Sequence, residues 1–254
     1  MIYHHTLDPA IITFGPIEIR WYGLMYILGF TAAFFYLRKF SREGYLKLSY
    51  PKIDTLFLYL FVGLFLGARL FYVFVYNFEY YLQHPEHMLA IWRGGLSFHG
   101  AFLGLVIAMM LVARKYQISF WNISDSLAAC SPIGLGLGRL GNFINGELYG
   151  RPTDGSWGVI FPDGGPQPRH PSQLYEALLE GGVLFLLMIF FRKRVAPGRL
   201  SCLYAIFYGS FRFIVEYFRE PDSQLGFVLF HLSMGQLLSL LLILAGLIFL
   251  EKLT

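Results

Sequence analysis

The sequence predicts an all-α integral membrane protein, a bundle of about seven transmembrane helices with a small loop cap on its outer face. Three observations predict it. Charge is scarce, at 14% of the 254 residues, whereas 56% are apolar and 26 are phenylalanine. A soluble domain carries about 25% charged residues, so this chain has too few polar groups to solvate a globular surface. Seven windows are long and apolar enough to cross a bilayer, which takes about 20 residues. Basic residues also alternate in density between successive connections, as they do in multi-pass membrane proteins.

The windows are residues 21–38, 54–76, 94–113, 123–143, 173–191, 200–218 and 231–250. Ahead of the first there is no basic start followed by an apolar core and a small-residue cleavage site, so no removable signal peptide is expected. Windows two, three and four carry glycine pairs at helical spacing: Gly63 with Gly67, Gly100 with Gly104, and Gly134 with Gly138. Such pairs let helix backbones approach closely in lipid. The fourth window is the most diluted, by Asp125, Ser126, Ser131, Pro132 and four glycines; Asp125 is read as a cap or anchor of its own helix. Between windows four and five, residues 144–172 hold five prolines and several glycines, a turn-rich segment expected to form the cap. Cys130 and Cys202 lie in apolar runs with no metal-ligand or disulfide spacing, as small buried hydrophobes do. With no repeat, linker or low-complexity tract, residues 1–254 read as one membrane domain.

The basic residues orient the bundle. Arg38, Lys39, Arg42, Lys47 and Lys52 lie in the first connection, Arg114 and Lys115 in the third, Arg192, Lys193, Arg194 and Arg199 in the fifth, and Lys252 after the last window. These are 12 of the 20 basic residues, against Arg20, Arg93, Arg151 and Arg169 in the opposite segments. The heavy side is cytoplasmic, so the N-terminus faces out and the C-terminus in. Orientation then fixes depth. Tyr22, Arg69, His99, Arg139, Asn142, His170, Tyr175, Arg212 and Glu216 all fall in or next to the outer half of the bilayer.

Tyr208, Arg212, Glu216 and Arg219 fall on one stripe of window six, at about 0°, 40°, 80° and 20° around the helix. Arg212 and Glu216 form an i,i+4 pair. A charge at mid-membrane costs about 2.5–3.5 kcal/mol, so this stripe is expected to face a polar interior. For Arg219, near the interface, headgroup anchoring is the competing reading. His99 is either a packing residue or, amid its glycines and level with the arginines, a functional one. Ser97 is not its partner, since two residues of helix separate side chains by about 200°. Gly136, Gly138 and Gly141 spell G-x-G-x-x-G, but a dinucleotide loop needs a strand before it and a helix after it. Here the glycines end a transmembrane window.

Arginines suit phosphate oxygens, and headgroup depth suits a lipid with an anionic head. The level holds neither an acidic metal cluster nor a positioned serine or cysteine nucleophile. If the chain is an enzyme, a substrate must bring the nucleophile. An anionic-lipid transporter and an assembly factor that binds signal peptides are the other classes; the first predicts polar sites through the inner half, the second leaves the arginine stripe unexplained.

The block GRLGNFINGELYG, residues 138–150, resembles the signature of the bacterial phosphatidylglycerol–prolipoprotein diacylglyceryl transferases. So do RWYGLMYILGF (20–30), GGLSFHGAFLG (94–104), RHPSQLYEALLEG (169–181) and YGSFRFIVEYFREPD (208–222), in order along the chain. One departure is Ala101-Phe102 after His99-Gly100, where the family usually has a further glycine. The resemblance implies transfer of a diacylglyceryl group from phosphatidylglycerol to the lipobox cysteine of a prolipoprotein signal peptide, in the bacterial inner membrane. It implies His99, Arg139 and Arg212 as critical, with His99 activating the thiol or relaying its proton. Arg139 would bind the lipid phosphate, with Asn142 and Glu147 orienting it. Arg212, held by Glu216 and Tyr208, would stabilise the leaving phosphate, and Tyr22 would line the cavity. No cofactor, metal or nucleic acid is expected.

Overall fold

A computed structural model describes residues 1–15, 17–90, 92, 94–220, 227–229 and 232–253. Arg93, the Pro221-Asp222 end of the last signature block and the first residue of the seventh window lie outside the described residues. The long helices fall where the windows predict: α1 (Trp21–Arg42), α2 (Tyr50–Phe71), α4 (Phe98–Tyr116), α5 (Phe120–Asn145), α8 (Arg199–Val215) and α9 (Met234–Lys252). Window five is a composite of α6 (Ser172–Glu176), a π-helical stretch over Ala177–Val183 and α7 (Leu184–Phe191). A second π-helical stretch, Tyr72–Tyr76, extends α2, and the short α3 (Phe78–Gln83) follows it.

Four of these segments are by themselves long and apolar enough to cross a membrane: Tyr50–Tyr76, Phe98–Tyr116, Ser172–Phe191 and Met234–Lys252. Of the others, α5 is diluted by Asp125 and Arg139 and α1 by four Trp and Tyr residues, and α8 is shorter, at 17 residues. Many large apolar side chains point outward, among them Phe35 at 63%, Leu58 at 60% and Leu241 at 62% exposure. Water would not tolerate that surface, but lipid matches it.

The chain divides into two compact units, Leu37–Ser124 and Met1–Tyr36 with Asp125–Thr254. In the first, α2 and α4 meet through their glycines: a Cβ on Gly63 would lie 2.6 Å from the Gly104 carbonyl oxygen, and one on Gly67 would lie 2.9 Å from Gly104 Cα. The predicted packing role of these pairs holds. Ser97 caps α4, its Oγ accepting from the Gly100 amide at 3.2 Å. Arg69, 3% exposed, donates to the backbone carbonyls of His87, Met88, Gly94 and Gly95 at 2.7–3.0 Å. It is a clamp on the chain between α3 and α4.

In the second unit, strands β1 (Ile2–His4) and β4 (Gly158–Ile160) pair in parallel, and β2 (Ala10–Phe14) pairs with β3 (Ile17–Arg20) as a hairpin. Bridges Gly150–Arg219 and Pro152–Arg169 tie the 144–172 segment to itself and to the end of α8. β5 (Phe227–Leu229) and β6 (Leu232–Ser233) lead into α9, whose N-terminus is a capping box of Ser233 and Gln236. Asp125 corrects its expected role. It does not cap its own helix but accepts from the Gly198 and Ser201 amides (2.6 and 2.8 Å) and from Ser201 Oγ (2.6 Å), neutralising the start of α8. Gly198 at the α8 N-cap has no side chain to do this, so a neighbouring helix supplies the acceptor.

Candidate active site

Gly136, Gly138 and Gly141 all lie inside α5, with no strand before them, and their separate roles are now visible. A Cβ on Gly181 would sit 2.6 Å from Gly136 Cα, and one on Gly141 would sit 2.9 Å from Tyr22 Cδ2. These two glycines bring α5 against the π-helical stretch and against α1. Gly138 corrects an expectation: a Cβ there meets nothing within 4 Å, so it serves no close packing. Gly134 does, because a Cβ on Gly29 would lie 3.0 Å from its Cα.

The Gly136–Gly181 contact sets a level. Arg139 follows Gly136 by about one turn of α-helix, and Glu176 precedes Gly181 by about one turn of the wider π-helix. The two meet: Arg139 Nε is 2.5 Å from Glu176 Oε2. Glu176 is 1% exposed and receives two further arginines on Oε1, Arg212 Nη1 at 3.1 Å and Arg219 Nη1 at 3.2 Å. Arg212 also reaches Glu216 Oε2 through Nη2 at 2.9 Å, the pair predicted from their spacing, and lies 3.9 Å from Glu180. Glu216 accepts from Ser233 Oγ at 3.0 Å, and its carboxylate lies against Gly235, where a Cβ would sit 2.6 Å from it. This carboxylate is therefore seated on the N-terminus of α9, where the helix dipole favours negative charge.

Tyr208 lies within electrostatic reach of Glu180, Arg212, Arg139 and Glu176 and stacks on Tyr204, with 5.9 Å between ring centroids. Asn142, 5% exposed, donates to Glu147 Oε1 at 2.9 Å, joined by Asn145 at 3.1 Å. Gln173 Nε2 donates to the Glu147 carbonyl at 2.7 Å, binding this polar knot to the helix that carries Glu176. Tyr22 shares a hydrogen bond with Tyr26 at 3.0 Å, and Tyr26 is within electrostatic reach of Arg139 and Glu147. Thus Tyr22, Arg139, Asn142, Glu147, Tyr208, Arg212 and Glu216, all named from sequence, belong to one neighbourhood in the second unit.

Glu176 and Glu180 were not singled out in the sequence, and Arg219 stood between two readings. Arg219 corrects both readings: α8 ends at Val215 and Arg219 lies beyond it, in the bridge to Gly150, yet its side chain is 13% exposed and paired with Glu176. Two acids inside an apolar window were the available signal for the glutamates. His99 belongs to the first unit. Its Nδ1 is 2.8 Å from the Tyr76 hydroxyl, which orients the ring. His170, in the 144–172 segment, has Nδ1 3.1 Å from Tyr175 Oη; burial pushes its imidazole below the ordinary value, against the opposing charge of Asp154.

Chemically, the cluster sets three planar guanidinium forks against the carboxylates of Glu176, Glu180 and Glu216. Arg212 spends both terminal nitrogens on carboxylates. Arg139 touches Glu176 through Nε; among the described residues its two terminal nitrogens make no hydrogen bond, and it is the most exposed of the three arginines at 22%. It has donors left over for a further acceptor.

The fold and site together define an α-helical integral membrane protein with an internal arginine–carboxylate centre. A sequence model described as prolipoprotein diacylglyceryl transferase matches residues 9–251, and the chain belongs to that family. It is 52% identical over 242 residues to the phosphatidylglycerol–prolipoprotein diacylglyceryl transferase of Geobacter sulfurreducens, covering 95% of this chain and 93% of that one. Relatives of the same name from Desulfotalea psychrophila (50% identical; 95% and 91% covered) and Pasteurella multocida (49%; 94% and 89%) extend the match. The chain is accordingly a membrane-bound transferase.

Proposed function

We propose that this enzyme moves the diacylglyceryl group of phosphatidylglycerol onto the lipobox cysteine of a prolipoprotein, the first step of lipoprotein maturation. The cysteine sulfur bonds to the glycerol carbon that carries the phosphate, and that carbon's C–O bond breaks. The products are a thioether and glycerol phosphate, with the thiol proton passing to a base. A thiol attacks as its thiolate, so the base matters; His99 takes or relays this proton, for which imidazole is suited near neutral pH.

Arg139 grips the phosphate of the bound lipid, with Asn142 and Glu147 setting the position of that end of α5 and of the headgroup. Arg212 stabilises charge developing on the leaving phosphate, an effect worth about 2.7–4 kcal/mol per donor in other enzymes. Glu176, Glu216 and Tyr208 keep it in place, and Tyr22 lines the same neighbourhood. The single observation that carries this reading is the convergence of three arginines on the buried Glu176, with the terminal nitrogens of Arg139 left for an anion.

The seven helical segments form one membrane domain in the bacterial inner membrane, N-terminus outside and C-terminus cytoplasmic, with residues 144–172 as the outer cap that receives the signal peptide. The distribution of lysine and arginine supports this orientation. The test uses purified enzyme, phosphatidylglycerol vesicles and a lipobox peptide read by mass spectrometry. A peptide mass raised by one diacylglyceryl group, absent when the peptide's cysteine is serine, is the expected result. Unmodified peptide with accelerated scrambling of vesicle lipid would instead favour transport.

A further inference from the structure

His84, Glu86 and His87 lie in the first unit, in the turn between α3 and α4, and take no part in the reaction above. Pro85 fixes one backbone angle of this turn, and Pro85–His87 is a single turn of 3₁₀-helix. In that geometry side chains three apart eclipse one another, so His84 and His87 face the same way; their rings stack at 5.5 Å. Glu86 reaches back between them, with Oε1 3.4 Å from His84 Nδ1 and 3.7 Å from His87 Nε2. Ligand atoms around a four-coordinate ion at about 2.0–2.1 Å are about 3.3 Å apart. The three donors thus stand near the edges of such a coordination shell, all within 4.8 Å of one another.

Two further features make this a built site. His87 Nδ1 is held by the Tyr80 hydroxyl at 2.9 Å, which presents Nε2 toward Glu86. Metal-bound histidines are oriented in this way, through the ring nitrogen that does not ligate. The turn itself is pinned from below, because Arg69 donates to the backbone carbonyls of His87 and Met88 at 2.7 and 2.8 Å. A plain surface ion pair needs neither constraint.

We propose that His84, Glu86 and His87 bind one divalent transition-metal ion of the zinc class, completed by solvent, and that the ion clamps the segment between α3 and α4. Two imidazoles and one carboxylate suit zinc, nickel and copper better than magnesium or calcium. Tag-free enzyme in detergent micelles is titrated with Zn²⁺ against a chromogenic chelator, and with Co²⁺ followed by visible absorption. Wild-type enzyme is expected to take up one equivalent of Zn²⁺, to show the visible bands of histidine-ligated Co²⁺, and to melt at a higher temperature with Zn²⁺.

Glu86→Gln, on an exposed side chain that keeps its shape, and the double variant His84→Ala/His87→Ala are expected to weaken uptake about 100-fold or more. Tyr80→Phe, which removes only the orienting hydroxyl, weakens it about 10-fold. Without metal, Glu86→Gln should melt like the wild type. No uptake by the wild type, or uptake and a Zn²⁺-dependent melting shift that survive in both ligand variants, overturns the assignment.

Discussion

Glu176 is 1% exposed and meets the guanidinium groups of Arg139, Arg212 and Arg219, so removing its charge leaves three half-buried cations near one another, with Glu216 still beside Arg212. Breaking a buried ion pair from one side costs about 3–5 kcal/mol. A reacting group displaced by about 1 Å can lose about 100-fold in rate. Glu176→Gln keeps the side-chain volume and is predicted to lower both thermal stability and the initial rate of lipid transfer by these amounts. Arg20→Gln is the matched control. Arg20 and Glu18 also pair, but at 58% and 44% exposure, where an ion pair contributes about 0–1 kcal/mol. Equal behaviour of the two variants in melting and transfer assays would remove Glu176 from the centre. Part of the remaining site was legible one residue at a time, because Tyr208, Arg212 and Glu216 follow one another at i,i+4 spacing along α8 and its C-cap, whatever they touch. Glu176 was not, since its meaning lies in partners from α5 and α8 that no spacing along the chain reveals.

Helices α2, α4 and α9 were legible as long apolar runs, and α1, α5 and α8, with more polar residues or less length, still overlap their windows closely. What escaped has two physical causes. The six-residue α3 is too short to show a period, and the pairing of β1 with β4 joins residues more than 150 positions apart. The π-helical stretch after Glu176 was also hidden, because its wider turn leaves the apolar composition unchanged. It matters for how α5 is placed. Gly136 touches Gly181 of that stretch, whereas Gly138 points into open space, although both belong to the same glycine motif. Gly136→Val is therefore predicted to force the two helices apart at a cost of about 1–3 kcal/mol and to separate Arg139 from Glu176, with a loss of transfer activity. Gly138→Ala should melt within about 0.5 kcal/mol of the wild type. Melting of both proteins in micelles decides it; the packing argument fails if Gly138→Ala is the more damaging change.

At the scale of the whole molecule, the chemistry assigned to the arginines depends on which side of the membrane they face. The proposed orientation puts the basic connection before α2 and the basic ends after α7 and α9 on the cytoplasmic side, and 144–172 on the other. An even number of crossings between the 38–52 connection and the C-terminus leaves both on one side, and an odd number separates them from 144–172. The parity is testable without touching the site. Cys130 and Cys202 are both buried, so unmodified protein should stay silent toward a membrane-impermeant maleimide in intact spheroplasts. Introduced on that background, Gln167→Cys should be labelled from outside, while Glu43→Cys and Lys252→Cys should react only after the membrane is permeabilised. Labelling of Glu43→Cys and Gln167→Cys from the same side would break the seven-crossing arrangement. It would also place the 144–172 segment, and the arginine end of α5 that leads into it, away from the leaflet where the signal peptide is proposed to be met.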